Sequence, residues 1–186
     1  MLVLGPADPP GWLGTPSLVP GLWVEAINSL RLRGPDIATA PPLDTAGLVR
    51  LPTWVWTEDT DRTWPVAPLH ARADARPDGV DAWVDAWAQP LRIEWDMGDG
   101  QPPTVCGHAG VPWQPGMEDD QGHGECSHRY LRPSRDQPDG VYQITAVTTW
   151  HVRWEVNGGA DRGELDIQVG STAPYRVNEI QVLVGY

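Results

Sequence analysis

The strongest constraint on how this chain folds is an alternation of apolar and polar residues that recurs in short segments from Leu48 onward. Segment 80–88, VDAWVDAWA, has Asp and Trp at one set of alternate positions and Val and Ala at the other. Successive side chains of a strand point to opposite faces, so a period of two predicts strands. Six or seven such segments, separated by turns rich in Gly, Pro and Asp, predict an all-β antiparallel sandwich.

Residues 1–47 do not follow this alternation. Residues 1–20 are rich in Pro and Gly with scattered apolar side chains, and they are predicted to form an extended arm. The Pro-rich segment 34–47 is predicted to be a linker. The chain therefore divides into an N-terminal arm at 1–47 and a sandwich at 48–186.

One short helix is predicted within the arm, at about residues 21–33. Trp23, Ile27 and Leu30 recur there at the spacing of one helical face. A Gly-Pro pair follows, which is a typical end of a helix.

Composition excludes two classes of partner. The chain has 186 residues and a net charge of −12, and all its basic side chains are arginine. Such an acidic chain lacks the basic surface that binds nucleic acid or an anionic membrane. No segment approaches the length of apolar chain that spans a bilayer, so no membrane insertion is predicted. The N-terminus also lacks the basic and apolar regions of a secretory signal peptide.

Three motifs follow one another in the second half of the chain: WDMGDG at 95–100, SHRY at 127–130 and GVYQI at 140–144. Their order resembles that of the PKD domain, and the likeness covers roughly residues 64–186. The residues that carry it are Trp95, Asp96, Gly98, Asp99, Gly100, His128, Tyr130, Gly140 and Tyr142. PKD domains are immunoglobulin-like sandwiches found mostly outside cells, as spacers or contact modules, so the resemblance implies that fold and setting.

A wider resemblance, from the helix to the closing VNEIQVLV, is to uncharacterised exported PKD-like proteins of actinobacteria. It implies a structural role for the motif residues. Asp side chains accept backbone N–H bonds in such turns, and Gly supplies a positive φ. His128 and Tyr130 are expected to pack against the turn. An alternative is a catalytic pair of Asp99 and His128, but no Ser or Cys nucleophile is placed to complete it.

Cys106 and Cys126 are the only cysteines, and they lie within a Gly- and Pro-rich insertion at 101–126. A disulfide there would stabilise the fold by about 3 kcal/mol and would imply an oxidising compartment. The alternative is a zinc site formed by Cys106, His108, His123 and Cys126. The resemblance favours the disulfide, because the similar proteins retain both cysteines without needing His108 or His123.

The same insertion has an acidic tip formed by Glu118, Asp119 and Asp120. A solvated loop is the expected structure. Calcium binding stays open, although the spacing is not that of an EF-hand. No cofactor is predicted.

The chain has 11 Trp and no Phe, so most Trp side chains are expected to fill the core. Trp83 and Trp87 are different, because they point away from the Val and Ala face of their strand. Trp12 and Trp23 lie in the arm. These four are the candidate contact residues, since exposed aromatic side chains favour protein interfaces or carbohydrate stacking.

These observations predict a non-enzymatic structural or adhesive subunit of an extracellular assembly, such as a cell-envelope complex, a surface appendage or a phage virion. Its partners are expected to be other protein subunits, in a homo- or hetero-oligomer. The alternative is a carbohydrate-binding module that uses surface Trp residues to bind a glycan. A hydrolase using Glu118 and Asp119 is disfavoured, because acids in a loop do not resemble a buried catalytic pair.

Overall fold

The structure, a computed structural model, describes residues 21–76, 79, 81–117, 126–157 and 161–179. It is mostly β-strand, which confirms the predicted all-β class. The α-helices are α1 (Leu22–Ser29) and α2 (Thr60–Thr63), and short 3-10 helices lie at Ser134–Asp136 and Pro138–Gly140. The strands are β1 (Asp36–Ala40), β2 (Ala46–Leu48), β3 (Pro52–Glu58), β4 (Leu69–Ala75), β5 (Ala82–Asp96), β6 (Thr104–Cys106), β7 (Ser127–Arg129), β8 (Tyr142–Val156) and β9 (Asp161–Asn178).

The strands form two sheets. The three-stranded sheet has the order β1-β3-β7, with both pairs antiparallel. The six-stranded sheet has the order β2-β9-β8-β5-β4, and β6 pairs with β5. Strand β2 runs parallel to β9, a departure from the antiparallel pairing expected throughout.

The described residues belong to two compact units that are interleaved along the chain. Unit 1 comprises those within Met1–Arg31, Pro68–Ala88 and Val152–Leu165. Unit 2 comprises those within Leu32–Ala67, Gln89–His151 and Asp166–Tyr186. Strands β5, β8 and β9 contribute residues to both units.

In unit 1, helix α1 packs against β4 and buries Leu22, Ala26 and Ile27. Trp23 stacks on Trp154, with ring centroids 6.0 Å apart. The helix ends at Ser29, earlier than the predicted residue 33. The backbone of Arg31 takes a φ of 51°, which a right-handed helix cannot accommodate.

In unit 2, buried side chains from both sheets form one core cluster. Val55 of β3 lies in it together with Ile93 and Trp95 of β5 and Ile144 of β8. Burying an isoleucine of this kind stabilises the fold by roughly 1.5–3 kcal/mol. The cluster also contains Tyr130, which places the second PKD-like motif in this core.

The segment 34–47 was expected to be a linker, but residues 36–40 form β1 and residues 46–47 belong to β2. The segment was hard to recognise because β1 is only five residues long, DIATA, and its side chains are mostly small. Its pairing with β3 supplies the hydrogen bonds that a linker would lack. Residues 1–20, including Trp12, lie outside the described residues.

No helix among the described residues is long and apolar enough to cross a membrane. The longer of the two α-helices, α1, has eight residues. A spanning helix needs about 20 residues.

Candidate functional site

The turn after β5 contains the WDMGDG motif, and its acids bond to their own turn. Asp96 Oδ1 accepts a hydrogen bond from Gly98 N at 2.9 Å, and Asp99 Oδ1 accepts one from Gln101 N at 3.2 Å. Gly98 has a φ of +76°, and a Cβ there would lie 2.5 Å from the carbonyl oxygen of Gln143. Only glycine fits this position, because it tolerates both the backbone conformation and the close approach.

Asp99 and His128 form a buried pair, each side chain being 7% exposed. His128 Nε2 lies 2.8 Å from Asp99 Oδ2. An ionised carboxylate only accepts, so this ring nitrogen carries a proton and donates it. Gln101 Nε2 donates to Asp99 Oδ2 at 2.6 Å and to Arg129 O at 3.0 Å. These bonds hold the turn against β7.

The Asp99 carboxylate is kept ionised by these donors. Burial acts to raise the pKa of Asp99, but the hydrogen bonds from Gln101 and His128 outweigh burial and lower the pKa below its ordinary value. Among the described residues, the side chains that contact the polar atoms of Asp99 or His128 are these two and Gln101, and none of them is a hydroxyl or thiol nucleophile. The pair therefore lacks the geometry of a nucleophile and its activating base.

Tyr130 lies at the centre of a buried aromatic cluster. Its ring stacks on Tyr142 at 4.9 Å and meets His128 edge-on at 4.8 Å. Its hydroxyl donates to Met97 O at 3.2 Å. Burial raises the pKa of Tyr130 well above its ordinary value, so the phenol stays protonated. Residues from all three motifs thus meet in one cluster in unit 2.

Cys106 and Cys126 form a disulfide, as predicted, with their Cα atoms 5.7 Å apart. Because the two sulfurs are bonded to each other, they are not thiolate ligands for zinc in this structure. His108 lies nearby, with its closest ring nitrogen 3.7 Å from Cys126 Sγ. Its Nδ1 accepts a hydrogen bond from Gly110 N at 3.0 Å.

The other residues considered for metal binding fall in a segment of the insertion that the structure does not describe. His123 and the acidic tip at 118–120 lie outside the described residues. Within the described ranges there is no group of three or more His, Cys, Asp or Glu that could hold a metal ion.

Unit 1 presents a polar and aromatic sheet surface, which we call the arginine–tryptophan face. Its members are His70, Arg72, Trp83, Asp85, Trp87 and Arg153. Strand β5 places Trp83, Asp85 and Trp87 on this side, while Val84 and Ala86 between them are buried on the other. The alternation of β5 therefore orients the two Trp side chains as the sequence predicted, although both are partly buried.

Asp85 organises the polar half of this face. Its carboxylate accepts two hydrogen bonds from Arg72, at 2.9 and 2.6 Å, and lies 2.8 Å from His70 Nε2. The bond from Arg72 is the main reason that the pKa of Asp85 is lowered; burial opposes the shift and His70 supports it. A bidentate pair of this kind fixes the guanidinium plane as well as its charge.

Both Trp rings of the face have cationic or imidazole side chains stacked on them. The Arg153 guanidinium lies 4.0 Å from the ring centroid of Trp87, and that of Arg72 lies 5.6 Å from Trp83. The His70 ring also stacks on Trp87, at 5.2 Å. Each contact is within the range of attraction between a cation or an imidazole and an indole ring.

Unit 2 has a concave aromatic surface of about 740 Å³ on the three-stranded sheet, which we call the aromatic groove. Trp54, Trp56 and Trp113 line it together with Asp44 and Glu58. Its volume is within the usual range for a ligand-binding cleft.

The register of β1 and β3 creates this groove. Ala38 lies opposite Trp56, and Ala40 lies opposite Trp54. A methyl group facing each indole leaves space that a larger side chain would fill. The intervening Val55 points to the other face of the sheet, where it joins the core.

The insertion supplies the third indole that lines the groove, Trp113. Thr57 N donates a hydrogen bond to Ala109 O at 2.8 Å, which holds the insertion against β3. Gly110 approaches so closely that a Cβ there would lie 2.6 Å from Trp56 Cα. Trp113 then lies 6.1 Å from Trp54 between ring centroids. The disulfide closes the same insertion, so we expect it to help position this indole.

Comparison with known proteins leaves the family as a proposal. No protein-family model, no curated protein and no solved structure matches this chain. The likeness to PKD domains stays a prediction, carried by the motif residues.

Sequence reasoning missed several residues of these sites. Gln101 directly follows the recognised turn, and its side chain bonds both to Asp99 and to the backbone of Arg129 in β7. Arg72 lies 11 positions before Trp83 and Arg153 lies 66 positions after Trp87, so no short local pattern indicated their stacking. Trp113 lies within the insertion, where no motif marks it as a binding residue. Its position between two prolines is the only local signal that could have drawn attention to it.

Proposed function

We propose that this protein is a non-enzymatic structural or adhesive subunit that acts through protein–protein contacts in an extracellular assembly. We also propose that its two sheets form an immunoglobulin-like, PKD-like sandwich. The first partner to test is a second copy of this chain.

The observation that carries the proposal is the arginine–tryptophan face. Trp and Arg are the residue types most enriched among side chains that dominate interface energies. Here Asp85 and the stacked rings restrain Arg72 and Arg153 in advance. Less conformational entropy is then lost when a partner binds.

Two further features support this role. The disulfide suits a protein that functions in an oxidising compartment, such as a cell surface or virion. The Asp99–His128 pair is already engaged in bonds that hold the turn, which fits a scaffold better than a reactive centre.

The alternative, carbohydrate binding through Trp83 and Trp87, is less well supported. A sugar ring stacks on an open indole face. Arg153 and His70 both stack on Trp87, so a sugar would have to displace one of them.

Sedimentation velocity of the intact chain, from micromolar to near-millimolar concentration, tests the proposal. We expect concentration-dependent self-association that Trp87→Ala weakens by at least about tenfold, because a central aromatic residue is lost. Trp113→Ala is the matched control and should associate normally. Arg153→Gln, which keeps the strand intact, should weaken association without changing thermal stability much. A chain that stays monomeric, or a Trp87→Ala variant that associates normally, would contradict the proposal for this face.

A further inference from the structure

We propose that the aromatic groove of unit 2 binds an arginine side chain presented by an exposed segment of a partner protein. The choice of a protein as the source rests on the proposed function. The chemistry of the bound group rests on the groove alone.

The walls of the groove suit a flat cation. Trp54 and Trp56 are almost fully buried, whereas Trp113 is 38% exposed and offers an accessible indole. The rings of Trp54 and Trp113 are tilted by 34° to each other with their centroids 6.1 Å apart, and Trp113 is the ring on which a guanidinium can stack. Cations are attracted to indole faces, and the planar guanidinium can also stack on them.

The charged side chains described at the groove are all acidic. Among the described residues that line it, the charged ones are Asp44 and Glu58. Asp36 lies directly opposite Glu58 across the pair of β1 and β3, and like charges in that position repel each other. Among the described residues, none of these three carboxylates has an ion pair with a basic side chain. A bound cation would relieve this repulsion.

Arginine fits these features better than lysine does. A guanidinium can donate two parallel hydrogen bonds to a carboxylate while its plane stacks on an indole, whereas an ammonium is a strongly hydrated point charge. Unit 1 shows this combination within the protein itself, where Arg72 bonds to Asp85 and lies over Trp83. The described residues that line the groove supply the indoles and the carboxylates, but no arginine is among them.

The size of the groove favours a side chain carried on a peptide segment. A volume of about 740 Å³ is enough for a drug-sized ligand and exceeds what a single guanidinium group fills. The remaining walls include Pro41, Pro42 and Leu43, which can contact the aliphatic stem and flanking backbone. Arginine buries such a stem readily.

The test is an NMR titration of the intact chain that follows the indole N–H signals. The probes are the peptide acetyl-Gly-Ser-Arg-Ser-Gly-amide and the same peptide with citrulline, a neutral isostere of arginine. We expect the arginine peptide to shift the Trp113 signal saturably and the citrulline peptide to bind about tenfold more weakly. The signal is assigned by its loss in Trp113→Phe.

Glu58→Gln should weaken binding of the arginine peptide about tenfold, because the groove loses one of its charges. Asp136→Asn is the matched control: it removes one negative charge from a side chain that is 84% exposed and outside the groove. Equal binding of the two peptides would overturn the proposal, as would equal effects of the two variants, or no shift at saturating peptide.

The same titration would also identify a different occupant of the groove. Cellohexaose that shifts Trp113 when the arginine peptide does not would assign the groove to a glycan. A concentration-dependent Trp113 shift without peptide, which the peptide cannot displace, would assign it to a second copy of the chain. Either result overturns the proposal. The proposed function fails separately, through Trp87→Ala and self-association, so the two failures are distinguishable.

Discussion

The protein has two aromatic surfaces that differ in where their positive charge comes from. On the arginine–tryptophan face of unit 1, Trp83 and Trp87 have Arg72 and Arg153 stacked on them. In the aromatic groove of unit 2, the described lining residues include carboxylates beside the indoles and include no basic residue.

The difference shows that a Trp-rich surface cannot be interpreted from its Trp residues alone. A ring that already has an arginine on its face gains less from a second cation, because the attractive surface is occupied. A ring beside unpaired carboxylates gains both a stacking contact and a charge pair when a cation arrives. We therefore expect the two surfaces to select different partners.

Removing the disulfide should have the largest effect, and it should impair the aromatic groove while leaving the arginine–tryptophan face unaffected. Replacing Cys106 and Cys126 together by serine should lower the free energy of unfolding by about 3 kcal/mol, because the unfolded chain gains freedom. Arginine-peptide binding should fall as well, since Trp113 lies in the insertion that the disulfide closes. Self-association through unit 1 should be retained. Denaturant unfolding measures the stability, and sedimentation measures the self-association. Mass analysis of the unmodified chain tests the disulfide itself, since two free thiols would contradict it.

The buried carboxylates of the two units should also differ. Asp99→Ala should cost about 1–3 kcal/mol, because His128 and Gln101 would lose a buried partner. Asp85→Ala should cost about 1 kcal/mol or less, because Arg72 and His70 are each 49% exposed and can bind water instead. Chemical denaturation of both variants measures this. An Asp99→Ala variant that keeps full stability but loses ligand binding would show that the turn is a binding site rather than a scaffold.

Lowering the pH should also remove the stabilisation that Asp85 and Asp99 provide, but with a smaller change in the free energy of unfolding. The pKa values of Asp85 and Asp99 are both lowered in the folded protein, and the pKa of an unfolded Asp is about 3.9. Their stabilisation is therefore complete above that pH and is lost as the pH falls through the lower folded pKa values. Asp99→Asn should flatten the fall in stability below about pH 4. A slope identical to that of the unmodified chain would show that Asp99 does not contribute.

Local patterns predicted part of this structure. The strict alternation of 80–88 predicted which side of β5 carries Trp83 and Trp87, because a strand fixes orientation residue by residue. The isolated pair of cysteines, with the family resemblance, predicted the disulfide. The helical spacing predicted α1, although its end depends on the left-handed backbone of Arg31.

The aromatic groove was not predicted, because it depends on contacts between distant segments. Ala38 and Ala40 create space only when β1 pairs with β3 in the observed register. Trp113 becomes a wall only because Gly110 lets the insertion approach β3. Likewise, Arg153 stacks on a residue 66 positions earlier in the chain, a pairing that no short pattern contains.

One titration compares the two surfaces directly: the arginine peptide added to the intact chain, with the indole signals of Trp87 and Trp113 followed together. The arginine–tryptophan face already has cations stacked on its indoles, whereas the described lining of the aromatic groove has none. The Trp113 signal should therefore shift saturably while the Trp87 signal does not move. The citrulline peptide should need about tenfold higher concentration to shift Trp113 and should also leave the Trp87 signal in place. Equal shifts of the two signals, or a shift of Trp87 alone, would contradict this difference between the surfaces.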